Sequence, residues 1–185
     1  MTDEAASWPV AIYLCDEHYG LRAPVLEDAD VAGAWYEGTF PITVETAREL
    51  LREQETIPWG ANPVIRLVVI ERKSGRVVGG AIVERQDNRV GKLQVTAGGP
   101  DRAGEPAQWV RAAVLRLLVP WVMGELNMMT AVIDVPADEA IVIDTARELG
   151  LVEVVRLRDH IVRPDGRVDL LMLERVNRRW GRGDA

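Results

Sequence analysis

Cysteine and histidine are scarce in this chain, and their scarcity excludes several kinds of site. Among 185 residues there is one cysteine, Cys15, and there are two histidines, His18 and His160. A single cysteine can form neither an intrachain disulfide nor a thiolate metal cluster, which favours a reducing compartment. We expect Cys15, which lies in a short apolar run, to be a buried and unreactive thiol. Neither histidine has the neighbours of a catalytic triad or of a metal site, so no metal site is predicted.

Long apolar runs are also missing. The amino-terminal run at 10–15 is too short for the hydrophobic region of a signal peptide. The most apolar later stretch, 109–129, is interrupted by Arg111, Arg116 and Glu125, whereas a membrane-spanning helix needs about 20 apolar residues. The sequence therefore predicts no membrane span, no membrane partner and a cytoplasmic location.

Positive charge is in the minority. The chain has 22 Lys and Arg against 29 Asp and Glu, and the net charge of −7 disfavours binding of polyanions across the whole surface. The basic residues between Arg175 and Arg182 form a short string without the stacking aromatics typical of RNA-binding segments. We interpret this string as a solvated tail and expect no nucleic acid partner; the hypothesis of an RNA-associated protein would rest on the tail alone.

The remaining composition is that of an ordinary globular domain. The chain is 48% hydrophobic and 28% charged, and it contains no internal repeat, low-complexity tract or long linker. We predict one domain over 1–185, with an amino-terminal extension at 1–18 and a basic carboxyl-terminal tail at 177–185.

The periodicity of the apolar residues predicts a mixed fold. An antiparallel meander is predicted at 64–71, 77–84 and 90–97, because each strand ends at a turn signal. The other predicted elements are, in chain order, strands at 10–15 and 19–23, helices at 27–36 and 44–54, a helix at 107–121 that Pro120 kinks or ends, an interior strand at 128–135 parallel to a neighbour, a helix at 138–149 stopped by Gly150, and a hairpin of 152–162 and 168–176. This order predicts an α/β (α+β) fold with a mixed, central, partly antiparallel twisted sheet of about seven strands and helices on both faces.

Three strings of residues add a resemblance to this pattern. They are GLRAP at 20–24, GRVVGG at 75–80 and TARELGL at 145–151. With the order of elements, they make the chain similar to the GNAT superfamily of acyl-CoA N-acyltransferases from about residue 20 to residue 180. The closest resemblance is to the branch of the ribosomal-protein-alanine acetyltransferases. The resemblance implies a GNAT-like sheet, acetyl-CoA or another acyl-CoA as donor, and a small-molecule or peptide primary amine as acceptor; a homodimer is left open.

The resemblance also implies where the donor binds. In such enzymes the pyrophosphate of CoA is held by the loop between the last meander strand and the next helix, where backbone N–H groups and the positive helix end favour an anion. The cofactor-binding residues implied here are Val95, Ala97, Gly98, Gly99, Arg102, Ala103, Gly104 and Ala107. Glu105 stands where the family has a glycine, and Pro106 removes a backbone donor. A second hypothesis is therefore a non-catalytic GNAT-like module that binds a ligand or protein and has lost the acyl-CoA loop.

Two carboxylates and an aromatic cluster are candidate site residues. Asp134 ends the interior strand and Glu84 ends the middle meander strand, so each is either a general base or an ordinary strand-end group or helix cap. Ala146 and Glu139 occupy positions where the family commonly has a tyrosine and an asparagine. The candidate acceptor-binding residues are Trp35, Phe40 and Trp59, and core packing explains Trp35 equally well.

Overall fold

The computed structural model describes residues 11–38, 40–55, 63–87, 89–98, 104–178 and 180. Its elements are, in chain order, β1 (Ile12–Cys15), β2 (Tyr19–Arg22), a 3-10 helix (Leu26–Val31), α1 (Ala32–Trp35), α2 (Val44–Glu55), β3 (Val64–Glu71), β4 (Val77–Gln86), β5 (Val90–Ala97), α3 (Glu105–Met123), β6 (Thr130–Pro136), α4 (Ala140–Glu148), β7 (Val152–Arg163) and β8 (Gly166–Val176).

The strands form a single sheet. Within the described ranges it contains eight strands in the order β1-β2-β3-β4-β5-β6-β8-β7. Every neighbouring pair is antiparallel except β5 and β6, which run parallel. The predicted mixed α/β fold is thus confirmed, with one more strand than the seven expected.

Helices cover both faces of the sheet. Side chains alternate along β3, so that Val68 lies on one face, which we call the front face, and Leu67 lies on the other, the back face. Val68 packs with Trp35 and with Leu51 of α2. Leu67 belongs to the larger core cluster, which includes most of the buried residues of α3 and α4.

Helix α3 is the central element of the back-face core. Leu115, Leu118 and Val119 are completely buried in it. The helix continues through Pro120 as far as Met123, so the expectation that Pro120 ends it is wrong. Pro120 is exposed, and its carbonyl still accepts a bond from the N–H of Gly124.

Two other predictions, the helix at 27–36 and the burial of Cys15, differ from the structure. The helix expected at 27–36 is instead a 3-10 helix followed by one turn of α-helix. Asp28 is buried there, where its carboxylate binds Arg22 through two bonds of 2.7 and 2.8 Å and its backbone oxygen accepts a 2.7 Å bond from the Trp35 indole. Cys15 is exposed rather than buried, because β1 is the edge strand and has β2 as its only strand neighbour in the described sheet.

Helix α1 lies directly against the backbone of β4 and β5. A Cβ atom built on Gly80 would lie 2.2 Å from the carbonyl oxygen of Trp35, and one on Gly98 would lie 3.0 Å from the Cα of Ala34. Gly80, the last glycine of the GRVVGG string, is therefore needed for this close approach, since any side chain would push α1 away from the sheet.

We expect Gly80→Ala to destabilise the protein by about 1–3 kcal/mol or more, because the new methyl group meets a backbone atom that cannot rotate away. Gly33→Ala is the matched control in α1 itself, where an added Cβ meets nothing within 4 Å. Urea unfolding of both variants measures the difference. Equal losses of stability would contradict the packing described here.

Candidate functional site

The sheet divides between β5 and β6. In the described chain these strands pair only from Val90 to Leu93 and from Thr130 to Ile133. Beyond this point β5 stays paired with β4 as far as Ala97, whereas β6 stays paired with β8. Each strand thus follows its antiparallel partner, and a split opens between them.

The edge of β5 that faces the split has no paired strand beyond Leu93 in the described part of the chain. The N–H of Gly98 donates a 2.7 Å bond to the carbonyl of Val78 on β4. Because successive residues of a strand direct their backbone groups to opposite sides, the N–H and C=O groups of Val95 and Ala97 point away from β4 and towards the split. Two of the residues predicted to bind the donor therefore present hydrogen-bonding groups there.

Helix α3 begins beside this end of β5. Gly104 is its N-cap, and Glu105 and Pro106 form its first turn. The Glu105 carboxylate accepts a 3.3 Å bond from the indole N–H of Trp109, one turn further along the helix. This bond holds the Glu105 carboxylate along the side of the helix. Pro106 costs no intrahelical hydrogen bond, because the backbone N–H groups of the first turn have no partner within a helix. Of the other predicted loop residues, Ala107 is buried in α3, whereas Gly99, Arg102 and Ala103 lie outside the described residues.

The two candidate carboxylates meet around a lysine on the front face. Lys92 Nζ lies 3.1 Å from Asp134 Oδ2, where the split opens. Glu84 is directly opposite Lys92 in the β4–β5 register. Asp134 Oδ1 is buried and has no hydrogen-bond partner in the described part of the chain. Asp134 is thus not a helix cap.

Lys92 was not among the site residues predicted from the sequence. Its place among the polar residues that alternate with apolar ones along β5 was the feature that could have indicated it.

The aromatic candidates have different surroundings. Trp35 is only 1% exposed, and its ring lies 6.0 Å from the guanidinium of Arg66, which pairs with Glu37. Phe40 is 80% exposed, next to α2. Trp59 lies outside the described residues. Core packing therefore accounts for Trp35, and contact with an acceptor stays a prediction for Phe40 and Trp59.

A buried ion cluster joins α3, α4 and β7. Glu139, the N-cap residue of α4, lies 2.7 Å from Arg111 of α3 and 3.4 Å from Arg163 of β7. Burial raises the pKa of the Glu139 carboxyl, an effect larger than the lowering by the two guanidinium groups. Arg163 also binds Asp138 through two bonds of 2.9 and 3.1 Å. Glu139 thus joins these three elements.

The described ranges contain neither a candidate membrane-spanning helix nor a candidate metal site. No helix there is long and apolar enough to cross a membrane. No group of three or more His, Cys, Asp or Glu side chains there is arranged to hold a metal ion.

Solved structures share this architecture over nearly the whole chain. A candidate acetyltransferase from Sphaerobacter thermophilus is 28% identical, with a TM-score of 0.70 over 92% of this chain and 99% of that one. The ribosomal-protein-alanine acetyltransferase of Vibrio fischeri is 15% identical, with a TM-score of 0.67 over 91% and 98%. A dodecameric spermidine N-acetyltransferase of Vibrio cholerae is 16% identical, with a TM-score of 0.66 over 91% and 100%. No family model and no curated protein matches the chain.

The fold is therefore that of the GNAT acetyltransferases. The resemblance to the GNAT superfamily is thus confirmed by the fold, and a spermidine N-acetyltransferase and a ribosomal-protein-alanine acetyltransferase are among the structural neighbours.

Glu139→Ala is expected to destabilise the protein by about 3–5 kcal/mol, because it leaves the buried guanidinium of Arg111 without its counterion. Glu148→Ala is the control: it removes an exposed 3.1 Å pair between α4 and Arg116 and should cost no more than about 1 kcal/mol. Denaturant unfolding compares the two variants. A loss for Glu139→Ala no larger than that for Glu148→Ala would show that the cluster does not hold α3, α4 and β7 together.

Proposed function

We propose that this protein transfers an acetyl or other short acyl group from acyl-CoA to a primary amine. The observation that carries the proposal is the edge of β5 that no described strand pairs with, where the backbone groups of Val95 and Ala97 face the split. An extended amide-containing chain can add to such an edge as a further strand would. When bound, acyl-CoA supplies an activated thioester carbonyl.

The start of α3 suits the pyrophosphate of the donor. An anion at a helix N-terminus gains from the unpaired N–H groups and from the helix dipole. The contact between Glu105 and Trp109 holds the acidic side chain along the helix. Gly98, Gly99, Arg102, Ala103 and Gly104 are the loop residues proposed to complete this site.

Asp134 is the proposed general base. The acceptor amine must lose a proton before its nitrogen attacks the thioester carbon, and the partly exposed Asp134 carboxylate lies where the split opens and offers an acceptor for that proton. A β5 backbone N–H can stabilise the oxyanion as the new C–N bond forms and the C–S bond breaks. The departing thiolate takes a proton from solvent or from the amine. Glu84, across from Lys92, is the alternative base.

Charge on the front face favours a cationic acceptor. Glu84 and Asp134 lie on this face on either side of Lys92, and Glu174 lies on the same face of β8, one strand beyond β6. Arg66, on the same face, is already paired with Glu37. The resulting negative potential attracts a protonated primary amine, such as a polyamine or a peptide amino terminus. Phe40 is the exposed aromatic proposed to contact that acceptor.

The proposal includes a cytoplasmic homodimer. Apolar side chains of the edge strand β7 are between 40% and 69% exposed, namely Val152, Val154, Val155, Leu157 and Val162. An exposed edge of this length and composition is suited to contact with another chain. Analytical ultracentrifugation at a protein concentration of roughly tens of micromolar tests the dimer. A sedimentation profile that shows only monomer would remove the dimer from the proposal.

Acetyl-CoA binding tests the proposed function directly. We expect calorimetric titration to give micromolar affinity, with free CoA binding as well and adenosine binding poorly. At about 100 times its Kd, acetyl-CoA should stabilise the fold by about 2.7 kcal/mol. Neither heat nor thermal stabilisation at millimolar acetyl-CoA would instead support the non-catalytic module.

The same titration, repeated on two variants, separates binding from catalysis. Asp134→Asn should bind acetyl-CoA but lose about 10²–10⁴-fold in the rate of CoA release with a polyamine or a peptide amine. Asp144→Asn is the control, because Asp144 is an exposed carboxylate on α4. An unchanged rate in Asp134→Asn would exclude Asp134 as the base.

A further inference from the structure

The chain has very few lysines, and one of them lies at the proposed reaction site. Of its 22 basic Lys and Arg residues, only Lys73 and Lys92 are lysines. Lys73 is exposed in the turn between β3 and β4. Lys92 lies on β5, one residue before the pairing with β6 ends, and its side chain is on the front face beside Asp134.

The position of Lys92 along β5 matches the reach of a donor bound at the strand edge. Gly98 is six positions after Lys92 in the chain, which corresponds to roughly 20 Å of extended strand. An acyl-CoA with its pyrophosphate at the start of α3 and its pantetheine arm along β5 directs its thioester towards the narrow end of the split. Lys92 is a half-buried amine near that end, whereas Lys73 lies in a different part of the fold.

Lysine amines form covalent bonds with activated carbonyls when a neighbouring group takes their proton. Asp134 Oδ2 lies 3.1 Å from Lys92 Nζ and is a ready proton acceptor. The second oxygen of the same carboxylate, Oδ1, has no hydrogen-bond partner within the described residues, so no other donor competes for it. A nucleophile and a base are thus already in contact in the structure.

We propose that Lys92 is itself an acyl acceptor and becomes an Nε-acyl-lysine in the presence of acyl-CoA, an inference that rests on the proposed function. Asp134 takes one proton from the ammonium group, and Nζ attacks the thioester carbon. The new C–N bond forms as the C–S bond breaks, and the thiolate leaves with the second proton of the nitrogen as free CoA. Asp134 then returns its proton to water, so the reaction releases one proton overall.

Acylation of Lys92 changes the charge of the site. The amide is neutral, so Asp134 loses its ion-pair partner, and the front-face group is left with the carboxylates of Glu84, Asp134 and Glu174 and without the ammonium. A cationic amine then meets a more negative site with an unpaired base. Self-acylation would therefore increase the affinity of the site for the acceptor class proposed above.

The two lysines allow an internally controlled experiment. The purified protein is incubated with acetyl-CoA, and acetylation at each lysine is followed by peptide mass spectrometry. We expect Lys92 to be acetylated at least tenfold faster than Lys73, although Lys73 is the more exposed. Excess free CoA should slow the reaction at Lys92, and Lys92→Arg should abolish the fast phase. Acetyl phosphate, which lacks the CoA portion, should show no preference for Lys92.

Three results would overturn the inference. Equal or faster modification of Lys73 would indicate ordinary chemical acetylation of exposed amines. A preference for Lys92 that persists with acetyl phosphate would show that CoA binding does not direct the reaction. Calorimetric binding of acetyl-CoA without modification of Lys92 would exclude self-acylation and leave the proposed function intact, whereas failure of acetyl-CoA to bind would overturn both.

Discussion

The divergence of β5 from β6 is the constraint on which the rest of this structure depends. A strand can pair with one neighbour on each of its two edges. Beyond Ile133, β6 still pairs with β8 but no longer pairs with β5. On this edge of β5 the backbone groups of Val95 and Ala97 have no neighbouring strand within the described sheet, although Ala97 is itself completely buried. Unpaired backbone groups in a protein interior are costly, so an open edge of this kind is suited to a ligand that supplies the missing bonds.

The helices hold the two halves of the sheet at this divergence. On the front face, α1 packs directly against the backbone of β4 at Gly80. On the back face, α3 spans the core and meets α4 and β7 through Arg111, Glu139 and Arg163. A buried ion cluster of this kind contributes modest net stability but strongly penalises any arrangement that separates its members. The geometry of the split is thus held by contacts on both faces, outside the split itself.

Chemistry at the split combines a rigid backbone edge with a small group of charges. Lys92, Asp134 and Glu84 come from three neighbouring strands, and their side chains share the front face because strand side chains alternate. Sites built on strands hold their groups more precisely than sites built on loops. The departures from the related enzymes, Glu105 and Glu139, are both engaged with neighbours, Trp109 and Arg111 respectively, rather than directed into the split.

Local periodicity in the sequence by itself determined the strands of the meander and helices α2 and α3, since the spacing of apolar residues reports which face of an element is buried. It also predicted the interior strand that carries Asp134, although this strand continues beyond Asp134 to Pro136. Only the tertiary structure decided that Cys15 lies on an exposed edge, that Glu139 is the centre of an ion cluster, and that Lys92 pairs with Asp134. Each of these depends on which distant strands and helices become neighbours, and long-range pairing leaves no trace in a local pattern.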